Sequence, residues 1–174
     1  MSTNMPEVLT NFRLYYDGAK DMMGVVDVTV PDIEPLNAAI KGAGILGEIS
    51  VPIIGHIGAM TMTINFRTVT LDMTLFSMPI PHVVDLRGSL QVQDMATGKR
   101  KVKPVRISGQ GSTKKTSLGK FAVGEGNDSS VELELTRFNL MIDGVENILI
   151  DKLNNVYVVN GVDCLEEVNK ALGL

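Results

Sequence analysis

The stretch Met60-Thr61-Met62-Thr63-Ile64-Asn65-Phe66-Arg67 alternates apolar and polar side chains without a break. Successive side chains of a strand point to opposite faces, so Met60, Met62, Ile64 and Phe66 share one face and four polar residues share the other. That is a half-buried strand. Working outward, similar alternation recurs at Val26, Val28 and Val30 before Pro31, at Leu86, Leu90 and Val92, and at Val131, Leu133 and Leu135 between Glu132, Glu134 and Thr136. The chain is expected to be mainly β with minor α. Its 174 residues suit one domain spanning 1–174, which would bury roughly 70% of the unfolded surface.

Composition narrows the function classes. With 44% hydrophobic and 21% charged residues the chain is expected to fold, and no stretch approaches the roughly 20 apolar residues of a membrane span. The opening MSTNMPEVLT has no basic region before an apolar one, so no secretory signal is read and folding in a cytosol is expected. One Cys and two His are too few for a zinc cage without carboxylate help. A formal net charge of −4 and a pI near 5.2 argue against a protein that grips phosphate, and 5% aromatics offer little for base stacking.

Turn and cap signals organise the strands. Phe12-Arg-Leu14-Tyr-Tyr-Asp17-Gly18 and Phe138-Asn-Leu140-Met-Ile-Asp143-Gly144 both read F-x-L-x-x-D-G, ending in dipeptides that tolerate the positive φ of a tight two-residue turn. They suggest two equivalent hairpins lying side by side. A last helix is expected after Asn160-Gly161, with Asp163 as N-cap three residues before Glu166, an apolar face of Leu165, Val168 and Leu172, and Gly173 as the stop. Thr68–Ser77 fits both a strand and a helical stripe through Val69, Met73 and Phe76. Ser108–Ser130, rich in Gly, Ser, Thr, Asn and Lys, reads as a long excursion between strands.

The motifs that promise chemistry weaken in context. Gly42-Ala-Gly44-Ile-Leu-Gly47 matches G-x-G-x-x-G, but the chain runs on to Pro52 where a helix should hold the pyrophosphate, so a flexible surface loop is the better reading. In the GQGSTKKT run over 109–116, Lys114 stands where a phosphate loop needs its second glycine, which leaves a solvated basic loop with Lys114 and Lys115. Lys99, Arg100, Lys101, Lys103 and Arg106 put five positive charges on one strand. An edge strand kept soluble by lysines, with Pro104 blocking further pairing, is favoured over nucleic-acid binding. Glu132 and Glu134 share a strand face about 7 Å apart but alternate as any solvent face does. Cys164 has no sequence context tying it to His56 or His82. No nucleophile, base and oxyanion site occur together, so neither an enzyme nor a cofactor or metal site is expected. What remains for the chain is to assemble.

Residues from Phe138 to Gly144, Ile150-Asp151, Val159-Asn-Gly-Val-Asp163 and the closing Leu172-Gly173-Leu174 resemble the phage major tail tube proteins of contractile tails. Tyr16-Asp17-Gly18, Met23-Gly-Val-Val26, Thr29-Val-Pro31, Gly42-Ala-Gly44 and Gly119-Lys120 through Gly124-Glu125 agree in the same order. R-type bacteriocins use similar proteins, and the haemolysin-coregulated tube protein of type VI secretion is structurally similar. The resemblance implies two packed antiparallel sheets in a barrel-like sandwich with a flanking helix. It also implies six protomers closing into a ring with a continuous inner β-barrel, and rings stacking into a tube inside a contractile sheath. Its implied partners are further copies of itself, the tail sheath, and baseplate and tail terminator proteins. DNA would pass through without specific binding, and the subunit would insert into no membrane. The location implied is a virion tail or phage-tail-like particle assembled in the bacterial host cytoplasm.

Within that frame, the Gly42–Gly58 loop with Gly42, Gly44 and Gly47, and the Ser108–Ser130 excursion with Lys114 and Lys115, are expected to reach neighbouring subunits or the next ring. Lys99, Arg100, Lys101 and Lys103 are expected to face acidic patches on the next subunit or the sheath. Carboxylates and hydroxyls should outnumber Lys and Arg along the bore. Thr68–Ser77 takes the place of a family helix. Relatives tend to place a different polar residue at Cys164. The alternative is a monomeric β-barrel that binds a small ligand inside.

Overall fold

The alternating stretch at 60–67 is a strand, and its apolar face is closed off completely: Met60, Met62, Ile64 and Phe66 are buried while Thr61, Thr63 and Asn65 look outward. The computed structural model describes residues 4–18 and 20–173. Leu174 and the first three residues, which the sequence reading used, lie outside them. In chain order the elements are β1 (Asn4–Tyr16), β2 (Lys20–Asp21), β3 (Val25–Thr29), β4 (Pro35–Ile40), β5 (Ile49–Ile57) and β6 (Thr61–Phe66). Then come α1 (Leu71–Thr74) with a 3-10 turn over Leu75–Ser77, β7 (His82–Asp94), β8 (Arg100–Ser117) and β9 (Ser129–Ile142). The chain ends with β10 (Val145–Asp151), β11 (Val156–Val159), β12 (Val162–Asp163) and α2 (Glu166–Leu172). No helix among the described residues is long and apolar enough to cross a membrane.

The mainly β fold with two antiparallel sheets agrees with expectation, but the sheets are very unequal. A ten-stranded sheet runs β12-β11-β10-β9-β8-β7-β1-β2, and β4 and β5 form a separate two-stranded one. β9 is a fork. Its Ser129–Glu134 half pairs with β6, which in turn pairs with β3, and its Arg137–Ile142 half pairs with β10. At the fork, Leu135 N donates to Met60 O and Lys152 N donates to Thr136 O, so the backbone stays satisfied where the sheet divides. Among the described residues no barrel closes, so the interior ligand site of the alternative reading lacks its wall.

The core lies on one face of the large sheet. Leu14, Val84, Val131, Leu133, Leu135, Phe138 and Ile150 meet Met62, Ile64 and Phe66, with Met73 and Phe76 lowered onto them from α1 and the turn that follows. This settles the ambiguous segment. Thr70 caps α1 by accepting from Met73 N at 3.2 Å, and the helical stripe wins because it delivers both Met73 and Phe76 inward. Phe76 packs edge-on against Tyr16 with centroids 5.3 Å apart. Buried His82 joins them: Nε2–H donates to Met78 O at 3.1 Å, which leaves Nδ1 to accept from the Tyr16 hydroxyl at 2.8 Å.

Four local expectations need correction. Ser108–Ser130 is not one excursion: β8 continues to Ser117, paired with β7 as far as Gly111 and with β9 from Val105 to Ser117, so the loop is only 118–128. Its small residues have a packing reason, because a Cβ at Gly111 would lie 2.0 Å from Glu134 O. Second, a bulge between Val25 and Asp27 shifts the phase of β3, so Val25 and Val28 pack inward and Val26 and Val30 are exposed. Third, Asp143-Gly144 makes the tight turn, with φ of 56° and 79°, but Tyr16 pairs with Lys20 across three residues, and β7 and β8 separate the two hairpins. Fourth, Asp163 lies in β12 and accepts from Leu165 N at 2.8 Å, so Leu165 occupies the N-cap of α2 without a capping side chain. Leu172 is exposed rather than on the inner face, while Gly173 at φ 77° does end the helix.

Candidate assembly surfaces

The four long strands β1, β7, β8 and β9 turn one face to the core and leave a polar one to solvent. α1 and its 3-10 turn pack on the apolar face, and α2 lies over Ile150 on that same side. On the solvent face the register aligns Arg13 and Tyr15 with Arg87 and Asp85, these with Arg106 and Ser108, and these with Met141 and Asn139. Asp85 is its centre. Only 2% exposed, it accepts from Arg106 Nε at 2.7 Å, Arg87 Nε at 2.8 Å and Ser108 Oγ at 3.1 Å. Arg87 also stacks on Tyr15, 4.3 Å above the ring. Burial pushes the Asp85 carboxyl up, and the hydrogen bonds from Arg106 and Arg87 outweigh burial and hold it below the usual aspartate range.

Elsewhere on this face the charges are matched locally. Arg13 pairs with Asp21 at 2.8 Å, Lys115 lies 3.8 Å from Glu132, and Arg137 stands across the strand pair from Asp151. The Asp151 carboxyl is held low first by a hydrogen bond from the Asn154 side chain, and Arg137 adds to that. Glu134 accepts from Met60 N at 3.1 Å and Thr61 Oγ1 at 3.2 Å, so Glu134 serves the strand fork while Glu132 makes the surface pair with Lys115.

An acid limb follows from Asp85 and Asp151. Their folded pKa values lie below the unfolded ones, so the stability they contribute is present above about pH 4 and is lost as pH falls through the folded values. Thermal unfolding should give a flat Tm from about pH 7 to about pH 5 and a steep fall below about pH 4, with Asp85→Asn flattening that fall. A wild-type Tm that stays constant down to about pH 3 would contradict this.

One margin of the large sheet is open among the described residues. β7 pairs with β1 along its length, but on the other side β2 covers only Tyr15 and Tyr16. Among the described residues no strand pairs with that margin from Met5 to Arg13, where Met5, Val8 and Leu9 are all more than half exposed. Such an edge is a template for another strand.

Two projections stand out from the body. The β4–β5 hairpin exposes Leu36, Ile40, Leu46, Ile49, Ile53 and Ile54, far more apolar surface than an isolated two-stranded hairpin can carry alone. Its base is anchored: Leu165 rests on Gly55, where a Cβ would come within 1.9 Å, and Lys152 Nζ donates to Gly58 O at 2.6 Å. Gly42, Gly44 and Gly47 lie in the turn at its tip, so the Gly42–Gly58 loop is largely strand β5. The second projection is 118–128, closed by Lys120 N to Asn127 O and Asn127 N to Arg67 O, with Leu118, Phe121 and Val123 exposed.

The basic strand is an edge over its first residues, since β9 joins β8 only from Val105 onward and Pro104 sits before that junction. Most of its charge is already engaged within the chain. Arg100 pairs with Glu7 at 3.1 Å, Lys101 with Asp94 at 3.7 Å and Lys103 with Asp143 at 2.9 Å, and Arg106 is held by Asp85. Lys114 falls at a bulge in β8, between Thr113 and Lys115. Cys164 is exposed, with its thiol 3.8 Å from Val162 O. Among the described residues no cluster of His, Cys, Asp and Glu has a metal-holding arrangement. Sequence reasoning missed the Asp85 cluster, which exists only through the β7–β8 register, and the open margin of β1. It passed over the run Ile49-Ser-Val-Pro-Ile-Ile54, whose apolar residues are the signal of an arm its own chain leaves uncovered.

Residues 6–173 match the family model of phage tail tube protein FII. The chain is also similar to the tail tube protein of Escherichia phage P2, at 28% identity over 174 residues, covering 98% of this chain and 99% of that one. A more distant likeness is to a chain in the cryo-EM structure of an extracellular contractile injection system, the PVC sheath-tube complex in its extended state. Its TM-score is 0.44 at 11% identity, covering 76% of this chain and 87% of that one.

Proposed function

Because this chain belongs to the phage tail tube protein FII family, and so is a structural tail tube subunit and not an enzyme, we propose that it is one tube domain, six copies of which close into a ring. Rings stack into the inner tube of a contractile phage tail or phage-tail-like particle. The observation that carries this reading is the open margin of β1: the four long strands of the ten-stranded sheet end there unpaired from Met5 to Arg13, with apolar side chains exposed beside it, an edge that a strand of a neighbour completes. Closing the circle removes every such edge.

The solvent face of β1, β7, β8 and β9 then lines the bore. It suits passage, because Arg13, Arg87, Arg106 and Lys115 are paired on it, Arg137 stands opposite Asp151, and each subunit brings a formal net charge of −4. DNA passes without specific binding. The β4–β5 arm with Gly42, Gly44 and Gly47, and the 118–128 loop, reach the neighbouring subunit or the next ring. Lys99 to Lys103, with Lys114 and Lys115, lie on surfaces open to an adjacent subunit or the sheath. The sheath covers the outside, and baseplate and terminator proteins meet the two ends. Assembly takes place in the host cytoplasm.

Negative-stain microscopy and sedimentation of the purified protein at high concentration test this. Six-fold rings or tubes are expected, and a monomer that persists at high concentration overturns the reading. The loop is tested by deleting 120–126, not 112–118, since the latter would remove part of β8. Tubes of normal length and yield after that deletion would remove the loop from the contact.

A further inference from the structure

We propose that Asp85 masks charge in the bore: it turns the guanidinium groups of Arg87 and Arg106 onto the sheet and away from the phosphates of a passing duplex, so the wall guides DNA without holding it. This rests on the reading that the solvent face of β1, β7, β8 and β9 lines the bore. An unpaired arginine on such a wall is a poor choice for a conduit, since its planar donors bind phosphate oxygens in pairs and each contact releases counterions that favour retention. Repeated in every subunit and every ring, two free guanidiniums would make a ladder of phosphate sites.

One carboxylate engages both. Asp85 Oδ2 takes Arg87 through Nε at 2.8 Å and a terminal nitrogen at 2.8 Å, while Oδ1 takes Arg106 through Nε at 2.7 Å. Ser108 Oγ donates to the same Oδ1 at 3.1 Å, and the Tyr15 ring lies 4.3 Å beneath Arg87. The carboxylate side chain is 3% exposed, yet each guanidinium side chain remains about half exposed, so the carboxylate lies in the wall and the arginines cover it. Sheet stability alone does not call for an ion here, because a buried charge pair is often no better than neutral packing. Two further cations of the face repeat the device, Arg13 with Asp21 and Lys115 with Glu132, while Arg137 beside Arg106 has Asp151 opposite it across the strand pair.

The test uses tubes assembled from the full chain and a short fluorescent duplex, with retention read by co-sedimentation across a salt series. Asp85→Asn tubes are expected to retain at least about tenfold more duplex than wild-type tubes at low salt, with the excess disappearing as salt rises. Adding Arg87→Gln and Arg106→Gln to Asp85→Asn should return retention to the wild-type value. Equal retention by Asp85→Asn and wild-type tubes overturns the proposal, as does unchanged excess in the triple variant. Should Asp85→Asn fail to assemble, Arg87→Gln with Arg106→Gln in otherwise wild-type tubes decides: masked arginines predict no change in low-salt retention, and a marked drop overturns the proposal. The underlying reading is checked separately with Gln110→Cys in a Cys164→Ser background. Labelling in tubes by a small thiol reagent but not by a polymer-bound one places the face inside. Labelling by both puts the face outside and overturns the reading itself.

Discussion

Replacing Ala39–Ser50 by Asn-Gly is expected to yield a folded monomer that forms no tubes. Ala38 and Val51 are cross-strand partners, so a two-residue turn closes the shortened hairpin without strain. None of the removed side chains belongs to the core, and the anchors at Gly55 and Gly58 are kept, so Tm should stay close to wild type. Assembly loses Ile40, Leu46 and Ile49, all strongly exposed in the single chain. If a neighbouring copy covers them, each contributes about 1.5–3 kcal/mol to the contact, so the variant gives up about 5 kcal/mol or more per subunit. That is about a thousandfold or more in association at each interface, enough to leave only monomer in sedimentation and microscopy. Tubes of normal length and yield from this variant would refute a role for the arm.

The parts of the fold that were legible are those in which one face of a strand meets the core. β6 and the first half of β9 could be read directly, because Met62, Ile64, Val131 and Leu133 alternate with Thr, Asn and Glu and end up fully buried. β8 could not. From Ser108 to Ser117 it carries mostly Gly, Gln, Ser, Thr and Lys, and it is a strand because β7 and β9 supply partners on both sides, an effect of position that no local pattern records. β3 was found, but only Val28 of its expected face packs inward, since a single bulge brings Val25 to that side in place of Val26 and leaves no mark in composition. For α1, two periodicities fit equally, and the contact of Phe76 with Tyr16 and His82 decides between them. The same limit governs the candidate surfaces. Glycine content and length pointed to both projections, whereas Asp85, Arg87 and Arg106 are 21 residues or fewer apart in sequence yet become one cluster only through the strand register.

Gly111→Val is expected to remove the folded chain rather than the assembly, and so to separate the two causes of failed tube formation. A Cβ at Gly111 would lie 2.0 Å from Glu134 O, 2.7 Å from Glu134 C and 2.8 Å from Leu135 Cα, all backbone atoms that no rotamer change can move. Relief requires parting β8 from β9 at the bulge beside Gly111, where His82 of β7 is the partner on the other side and Leu135 is buried beneath. Overpacking a core typically costs about 1–3 kcal/mol, and each ladder hydrogen bond lost adds about 0.5–1.5 kcal/mol. A loss of about 4 kcal/mol or more is a large part of the roughly 5–15 kcal/mol that keeps such a domain folded. Soluble yield and Tm should collapse, while Ser112→Ala, one residue on and pointing to solvent, should stay within about 0.5 kcal/mol of wild type. A Gly111→Val protein with near-native Tm would mean that β8 and β9 do not approach as closely as this. It would also release β8 from the central place that the bore-lining face gives it.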